Sequence, residues 1–213
     1  MPVEVGQPAP PVELPAANRE GIVSLAQYRG KSPVLLALFR GLYCPFCRSQ
    51  IARLGVMAGR LRESGVETLG IVATPPERAR LYFRFRQAPI PLGADPDLAT
   101  HRAYGVPRMS LTPELEHAIN EASLAWAREL GIPARPEHAY DDVQKFDGYE
   151  PSAEDHADFA QHQAQFIGQF LIDTHGIVRW TKVQTKAGDD FPTAADILTA
   201  MRQAPASHPF AGC

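Results

Sequence analysis

A chain of 213 residues, 45% hydrophobic and 21% charged, is long enough to bury one core, with a second domain allowed but not required. A formal net charge of −3 without any basic run excludes the electrostatic footprint of a nucleic-acid binder. The longest apolar run, Val34–Phe39, is strand-length, far short of the roughly 20 residues that span a bilayer. The start, MPVEVGQPAPPVELP, lacks the basic and apolar parts of a secretory leader, so a cytoplasmic protein with no membrane partner is expected.

In chain order, VELP (12–15) is a short extended piece, and GIVSLAQYRGK (21–31) reads as a short strand and a turn of helix closed by Gly30. PVLLALF (33–39) is a continuous apolar run, which suits a strand buried on both faces. Ile51, Leu54, Met57, Ala58 and Leu61 then recur at helical spacing, with Gly65 as the stop. VETLGIVAT (66–74) is a second strand. PPERARLYFRFRQ (75–87) is a helix, with Pro and Glu in its first turn and Leu81 and Phe85 four apart. PIPLGADPD (89–97) holds a short strand, and LATHRAYGV (98–106) a short helix ended by Gly105. Strand, helix, strand, helix, strand implies a parallel arrangement with right-handed crossovers.

The pattern changes near residue 107. Thr112 as N-cap, Pro113 at the first helical position and Gly131 as the stop bracket a helix. Leu115, Ile119, Ala122, Trp126 and Leu130 form its apolar stripe. IPARPEHAYDDVQKFDGYEP (132–151) is a long loop, a length usually kept for function or an interface. Ser152 with Asp155 three residues later marks another helix start. GQFLIDTHGIVRWTKV (168–183) is a hairpin turning at Thr174, His175 and Gly176. PTAADILTAMRQA (192–204) is a last helix, and a loose tail ends in Cys213.

The chemistry centres on FRGLYCPFCRSQ (39–50). Cys44 follows a buried strand and precedes Pro45, a residue favoured at the first helical position, so Cys44 is the expected N-cap. Free amides of the first turn and the helix dipole then stabilise its thiolate. Cys47 lies one turn on, within reach of a disulfide, and Arg40 and Arg48 add positive charge nearby. A zinc site is the weaker reading, because one such pair supplies two of four ligands. Two inert core cysteines are a third. In a reducing compartment a Cys-x-x-Cys pair inside a βαβ pattern points first to redox chemistry.

VGQPAPPVEL, SLAQYRGKSPVLLALFRGLYCPFCRSQIARL and FLIDTHGIVRW, in this order, resemble the peroxiredoxin and alkyl hydroperoxide reductase/thiol-specific antioxidant (AhpC/TSA) superfamily. The likeness covers residues 3–105 and 167–203; residues 107–165 match nothing in it. It implies an α/β thioredoxin-like fold, with a central mixed sheet flanked by helices and a helical insertion at 107–165 before the C-terminal hairpin. Two departures stand out. The family's Pro-x-x-x-Thr-x-x-Cys is absent: aligned on Cys47, Arg40 and Cys44 replace the Pro and Thr; aligned on Cys44, Ala37 and Gly41 do. The arginine preceding the FLID strand is also missing, where FIGQ (166–169) stands, and so is a thioredoxin-type proline there.

The combined expectation is a single-domain thiol oxidoreductase. Cys44 attacks a peroxide or a disulfide, Cys47 resolves the product, and an external thiol, thioredoxin- or glutathione-like, restores the pair. No metal or organic cofactor is required. A redox sensor or disulfide-exchange protein with little turnover is the alternative. Tyr43 and Phe46 serve either packing or substrate contact, and the scattered histidines read mostly as solvated surface groups. Arg179 is a candidate to approach the site, and Cys213 a candidate resolving thiol. The Trp126 stripe either roofs the cysteine pocket, forms a homodimer contact or is simply core.

Overall fold

The computed structural model describes residues 3–188 and 191–203. A two-stranded ribbon, β1 (Glu13–Pro15) with β2 (Ile22–Ser24), and a 3-10 turn (Leu25–Tyr28) precede the main sheet. β3 (Val34–Phe39) leads into α1 (Pro45–Glu63), then come β4 (Glu67–Val72), α2 (Pro76–Phe85), β5 (Leu92–Ala94) and α3 (Ala99–Ala103). The next stretch opens with β6 (Arg108–Met109), carries α4 (Pro113–Leu130), α5 (Ala139–Val143) and α6 (Ala153–His162), and closes with β7 (Ala164–Gln165). β6 and β7 pair antiparallel, so the 107–165 segment leaves and rejoins the chain at one point. β8 (Gly168–Ile172), β9 (Val178–Val183) and α7 (Ala194–Gln203) complete the structure.

The five-stranded sheet has the order β5-β4-β3-β8-β9. β3, β4 and β5 run parallel, as the alternation of strands and helices predicts, and β8 and β9 run antiparallel to their neighbours. β3 sits in the middle and is buried at every position. Its pleat divides the core. Leu35, Ala37 and Phe39 face Ile51, Leu54 and Leu61 of α1, Phe83 of α2 and Ile197 of α7, while Leu36 and Leu38 face Tyr104 and Phe170 on the other side. Each fully buried leucine contributes about 1.5–3 kcal/mol over an exposed one. This central strand is therefore a rigid base for whatever its carboxyl end carries.

Three expectations need correcting. The 132–151 stretch is not loop throughout, because a 3-10 turn (Pro136–His138) runs straight into α5. Leu81 and Phe85 are exposed; α2 packs through Ala79, Tyr82 and Phe83 instead, which join the core cluster, Tyr82 also meeting the Tyr149 ring and Asp147. His101 and His162 are buried rather than solvated: burial pulls the His101 imidazole down to about 4, and His162 Nε2 lies 2.9 Å from the Pro96 carbonyl. Among the described residues no helix is long and apolar enough to cross a membrane.

Candidate active site

The cysteine motif begins where β3 leaves the sheet. Gly41 makes the turn possible: a Cβ there would lie 2.7 Å from both the Ala73 carbonyl and the Tyr43 ring. The Leu42 amide donates to Thr74 Oγ1 (2.9 Å) and the Cys44 amide to the Gly41 carbonyl (3.0 Å), which fixes the approach to α1. Cys44 is the N-cap, with extended backbone, and Pro45 starts the helix. The Cys47 amide donates to Cys44 Sγ at 3.4 Å. Both cysteines are free thiols, 0% and 1% exposed.

The two thiols are polarised in opposite directions. Burial alone would raise Cys44; the Cys47 thiol and amide and the charges of Arg40 and Arg48 outweigh it and bring Cys44 down to about 6. Burial pushes the Cys47 thiol well up, and the neighbouring Cys44 sulfur adds to that. Arg40, just past β3, keeps its charge: burial opposes it, but the two sulfurs, Tyr43 and Tyr140 hold it above the usual range. Its Nη2 donates to Gln184 Oε1 (3.0 Å), and the same oxygen accepts from the Ile167 amide (3.4 Å). Ile167 belongs to the FIGQ stretch, where the resemblance led to the expectation of an arginine or a proline, and here its amide and Arg40 share the Gln184 side chain. Among the described residues no peptide bond is cis.

Arg48 plays a different part from the one its sequence position suggests. It is 2% exposed and turns away from solvent toward the 107–165 segment. Its Nε donates to Asp147 Oδ2 (3.0 Å), Nη1 to the Leu42 carbonyl (2.7 Å) and Nη2 to the Gln144 carbonyl. The guanidinium carbon lies 4.6 Å from the Tyr149 ring centroid. Asp147 also accepts from Tyr82 Oη (2.9 Å), and Gln144 Nε2 donates to the Tyr43 carbonyl (3.0 Å). Arg48 is therefore an anchor first and a source of field second. Its charge acts least among the groups that lower Cys44.

The segment covers the motif. Phe46 packs against Trp126 (ring centroids 5.0 Å), which packs in turn against Phe146 (4.9 Å). Tyr43 meets Phe159 edge-on (5.6 Å) and lies 6.0 Å from the His162 ring. Beside these contacts a cavity of about 960 Å³ remains, with Arg40 and Tyr43 at its inner end. Trp126 thus packs on the motif through Phe46 and lies outside the cavity lining. Trp126→Glu should leave the molecular mass in solution unchanged and lose about 1–3 kcal/mol through its two aromatic pairs. Cys44 should alkylate faster with small reagents. A drop in mass on light scattering would support the dimer reading instead.

Cys44, Cys47, Arg40, Tyr43, Pro45 and Arg48 are thus brought together. Arg179 is not: it is held in its own hairpin by Asp173, 2.7 Å away. Cys213 lies outside the described residues. Gln144, Asp147 and Gln184 are site residues that sequence reasoning missed. The signal for Asp147 was present: Arg48 falls in the buried stripe of α1, three residues before Ile51, and a buried cation requires a partner. Nothing in the sequence marks Gln184. Among the described residues no group of three or more His, Cys, Asp or Glu is placed to hold a metal ion.

Solved structures share the fold. Peroxidoxin BcpB from Mycobacterium tuberculosis matches with a TM-score of 0.60 at 16% identity, over 96% of this chain and 99% of that one. The reduced 2-Cys peroxiredoxin of Plasmodium vivax matches with a TM-score of 0.58 at 17% identity, over 93% and 94%. A structure described as a thiol:disulfide interchange protein, DsbE, from Chlorobium tepidum matches with a TM-score of 0.54 at 18% identity, over 95% and 98%. No curated protein matches the sequence. The mixed sheet with its flanking helices is thioredoxin-like, as the resemblance implied. The AhpC/TSA family model matches residues 5–181, and with a cysteine at the helix start where β3 ends, this chain belongs to that family.

Proposed function

We propose that this protein is a thiol-dependent oxidoreductase of peroxiredoxin-like type, a single domain with an inserted 107–165 segment, that reduces peroxides or disulfides through Cys44 and Cys47. One observation carries the reading: a buried N-cap thiol brought down to about 6 stands one helical turn from a second thiol that keeps its proton. At neutral pH Cys44 is a thiolate. With a hydroperoxide, its sulfur takes the terminal oxygen, the O–O bond breaks and the alcohol leaves with a proton, giving a sulfenic acid. The Cys47 thiol then displaces water to form the Cys44–Cys47 disulfide, and two equivalents of an external thiol restore the dithiol. Arg40 holds the thiolate's counter-charge, Pro45 and Tyr43 set the helix start and its cover, and Arg48 fastens the segment above. Cytoplasmic residence, which keeps the pair reduced between turnovers, is part of the proposal.

A second reading has its own support. Both sulfurs are covered, so slow stoichiometric oxidation, sensed through the 107–165 segment, is the sensor alternative. Parallel rate measurements with hydrogen peroxide, an organic hydroperoxide and a protein disulfide, each with a thiol donor, separate the two. Sustained consumption of any one oxidant, lost in Cys44→Ser, is the expected result. A single stoichiometric oxidation with all three would leave the sensor.

A further inference from the structure

The cavity beneath the 107–165 segment is far larger than a peroxide needs. It holds about 960 Å³, whereas a water-sized oxidant fills roughly 30 Å³. Spaces of this size take small organic molecules. Its ends differ in charge. At the inner end stand Arg40 and Tyr43, and Tyr43 is 3% exposed. The Nε of Arg40 and the hydroxyl of Tyr43 are buried with no hydrogen-bond partner among the described residues. A buried donor left unpaired is destabilising, and an acceptor entering the cavity would relieve both. At the mouth stand four exposed carboxylates, Glu116, Glu121, Glu137 and Asp141. Half-buried apolar side chains, Ile119 and Phe159 among them, form the walls between.

Cys44 directly follows Tyr43, and both cysteines are covered. A thiol carried on the surface of a folded protein has no open sulfur to meet. A small thiol passing down the cavity arrives at Arg40 and at Tyr43, the residue before Cys44. Neither cysteine lines the cavity, so the final contact needs a side-chain shift at its inner end, where Arg40 and Tyr43 stand. Resting on the thiol chemistry proposed above, we propose that this cavity admits the electron donor: a low-molecular-weight thiol bearing a cationic amine, its sulfur toward Arg40 and Tyr43 and its ammonium among Glu116, Glu121, Glu137 and Asp141.

The chemistry balances. The donor's thiolate attacks Cys44 Sγ of the Cys44–Cys47 disulfide; a mixed disulfide forms, the protein S–S bond breaks, and Cys47 leaves with the electron pair and takes a proton. A second donor thiolate attacks the donor sulfur of the mixed disulfide. Cys44 leaves as the thiolate that its N-cap position favours, and the oxidised donor departs as a disulfide. Two thiols are oxidised and one protein disulfide is reduced.

Two peptides with the same thiol test this, Lys-Gly-Cys and acetyl-Glu-Gly-Cys, each reducing the oxidised full-length protein at low ionic strength. Their rates against a simple dialkyl disulfide supply the intrinsic correction. The lysine peptide should be about tenfold faster, through the field of the carboxylate mouth. The gap should narrow with added salt and in the Glu116→Gln/Glu121→Gln variant. A reduced thioredoxin should be slower than the lysine peptide. Equal peptide rates, a gap indifferent to the double substitution, or a faster thioredoxin would overturn the inference. If mild oxidation yields no Cys44–Cys47 disulfide, the proposed function fails and this inference with it. If that disulfide forms and dithiothreitol cleaves it while the two peptides remain equal, this inference alone fails.

Discussion

In a Cys213→Ser background, Cys47→Ser protein should carry one thiol that alkylates with an apparent pKa near 6, and Cys44→Ser protein should show no reactive thiol below about pH 8. Burial works against the Cys44 thiolate, so the reactivity depends on the groups that outweigh burial: the Cys47 thiol, Arg40, the Cys47 amide and then Arg48. A serine at 47 keeps both a hydroxyl donor and the amide. Arg40→Met removes the next contribution and should move the profile upward by a measurable fraction of the interval to 8.5. Lowering a thiol from about 8.5 to about 6 corresponds to about 3 kcal/mol favouring the charged form.

The same shift makes stability depend on pH. The folded Cys44 thiol titrates below the unfolded one, so between about pH 6 and 8.5 the unfolded chain binds the extra proton. Stability of the reduced protein should therefore rise with pH through that window and be lost as pH falls through 6. Cys47, raised in the fold, acts in the opposite sense and only above about 8.5. His101, lowered to about 4 by burial, also disfavours folding in acid, but between roughly pH 6.5 and 4. Urea unfolding of the dithiol protein at pH 6 and 8 carries the Cys44 contribution on top of a smaller one from the lowered His101 and His162, and Cys44→Ser should remove the larger part. An alkylation pKa at or above 8.5 in Cys47→Ser would end the activated-thiol reading, and a Cys44→Ser slope equal to wild type would end the linkage.

Local signals carried much of the fold. VLLALF has no polar side chain and is bounded by turn residues, which suits a strand buried on both faces, and Pro45 after Cys44 reads as a helix start because proline's fixed φ suits it. Thr112, Gly131 and the reciprocal Ser152–Asp155 capping pair mark helix ends by the same local chemistry. What escaped depends on tertiary choice. Leu81 and Phe85 satisfy a helical period as well as Ala79, Tyr82 and Phe83 do, and only the position of the sheet decides which stripe is covered. His101 and His162 look soluble until neighbours close over them. The site divides the same way. Cys44, Cys47 and Arg40 lie within one strand-to-helix turn, so their proximity is legible. Gln184 and Asp147 arrive from 144 and 99 residues away along the chain.

Arg48→Met should destabilise the protein by about 3 kcal/mol, the lower end of the range for breaking a buried ion pair. The lower end applies because Asp147 is not left alone. It keeps the Tyr82 hydroxyl at 2.9 Å and Arg86 at 3.9 Å, and its side chain is 16% exposed. What has no substitute is the reach of the guanidinium fork to the carbonyls of Leu42 and Gln144, which fastens the 144–149 stretch to the start of α1. Arg48→Lys should recover only part of the loss, because an ammonium cannot reproduce that fork. In a cycle with Asp147→Asn, the double variant should lose clearly less than the sum of the two single variants. The cysteines supply a second readout. Loss of the Arg48 charge raises Cys44 a little, since that charge acts least among those lowering it, whereas loosening the roof exposes the sulfur. Above pH 8, where Cys44 is thiolate in either protein, Arg48→Met should therefore alkylate faster than wild type. A variant that is less stable yet no faster there would mean that Arg48 holds the fold without holding the roof closed.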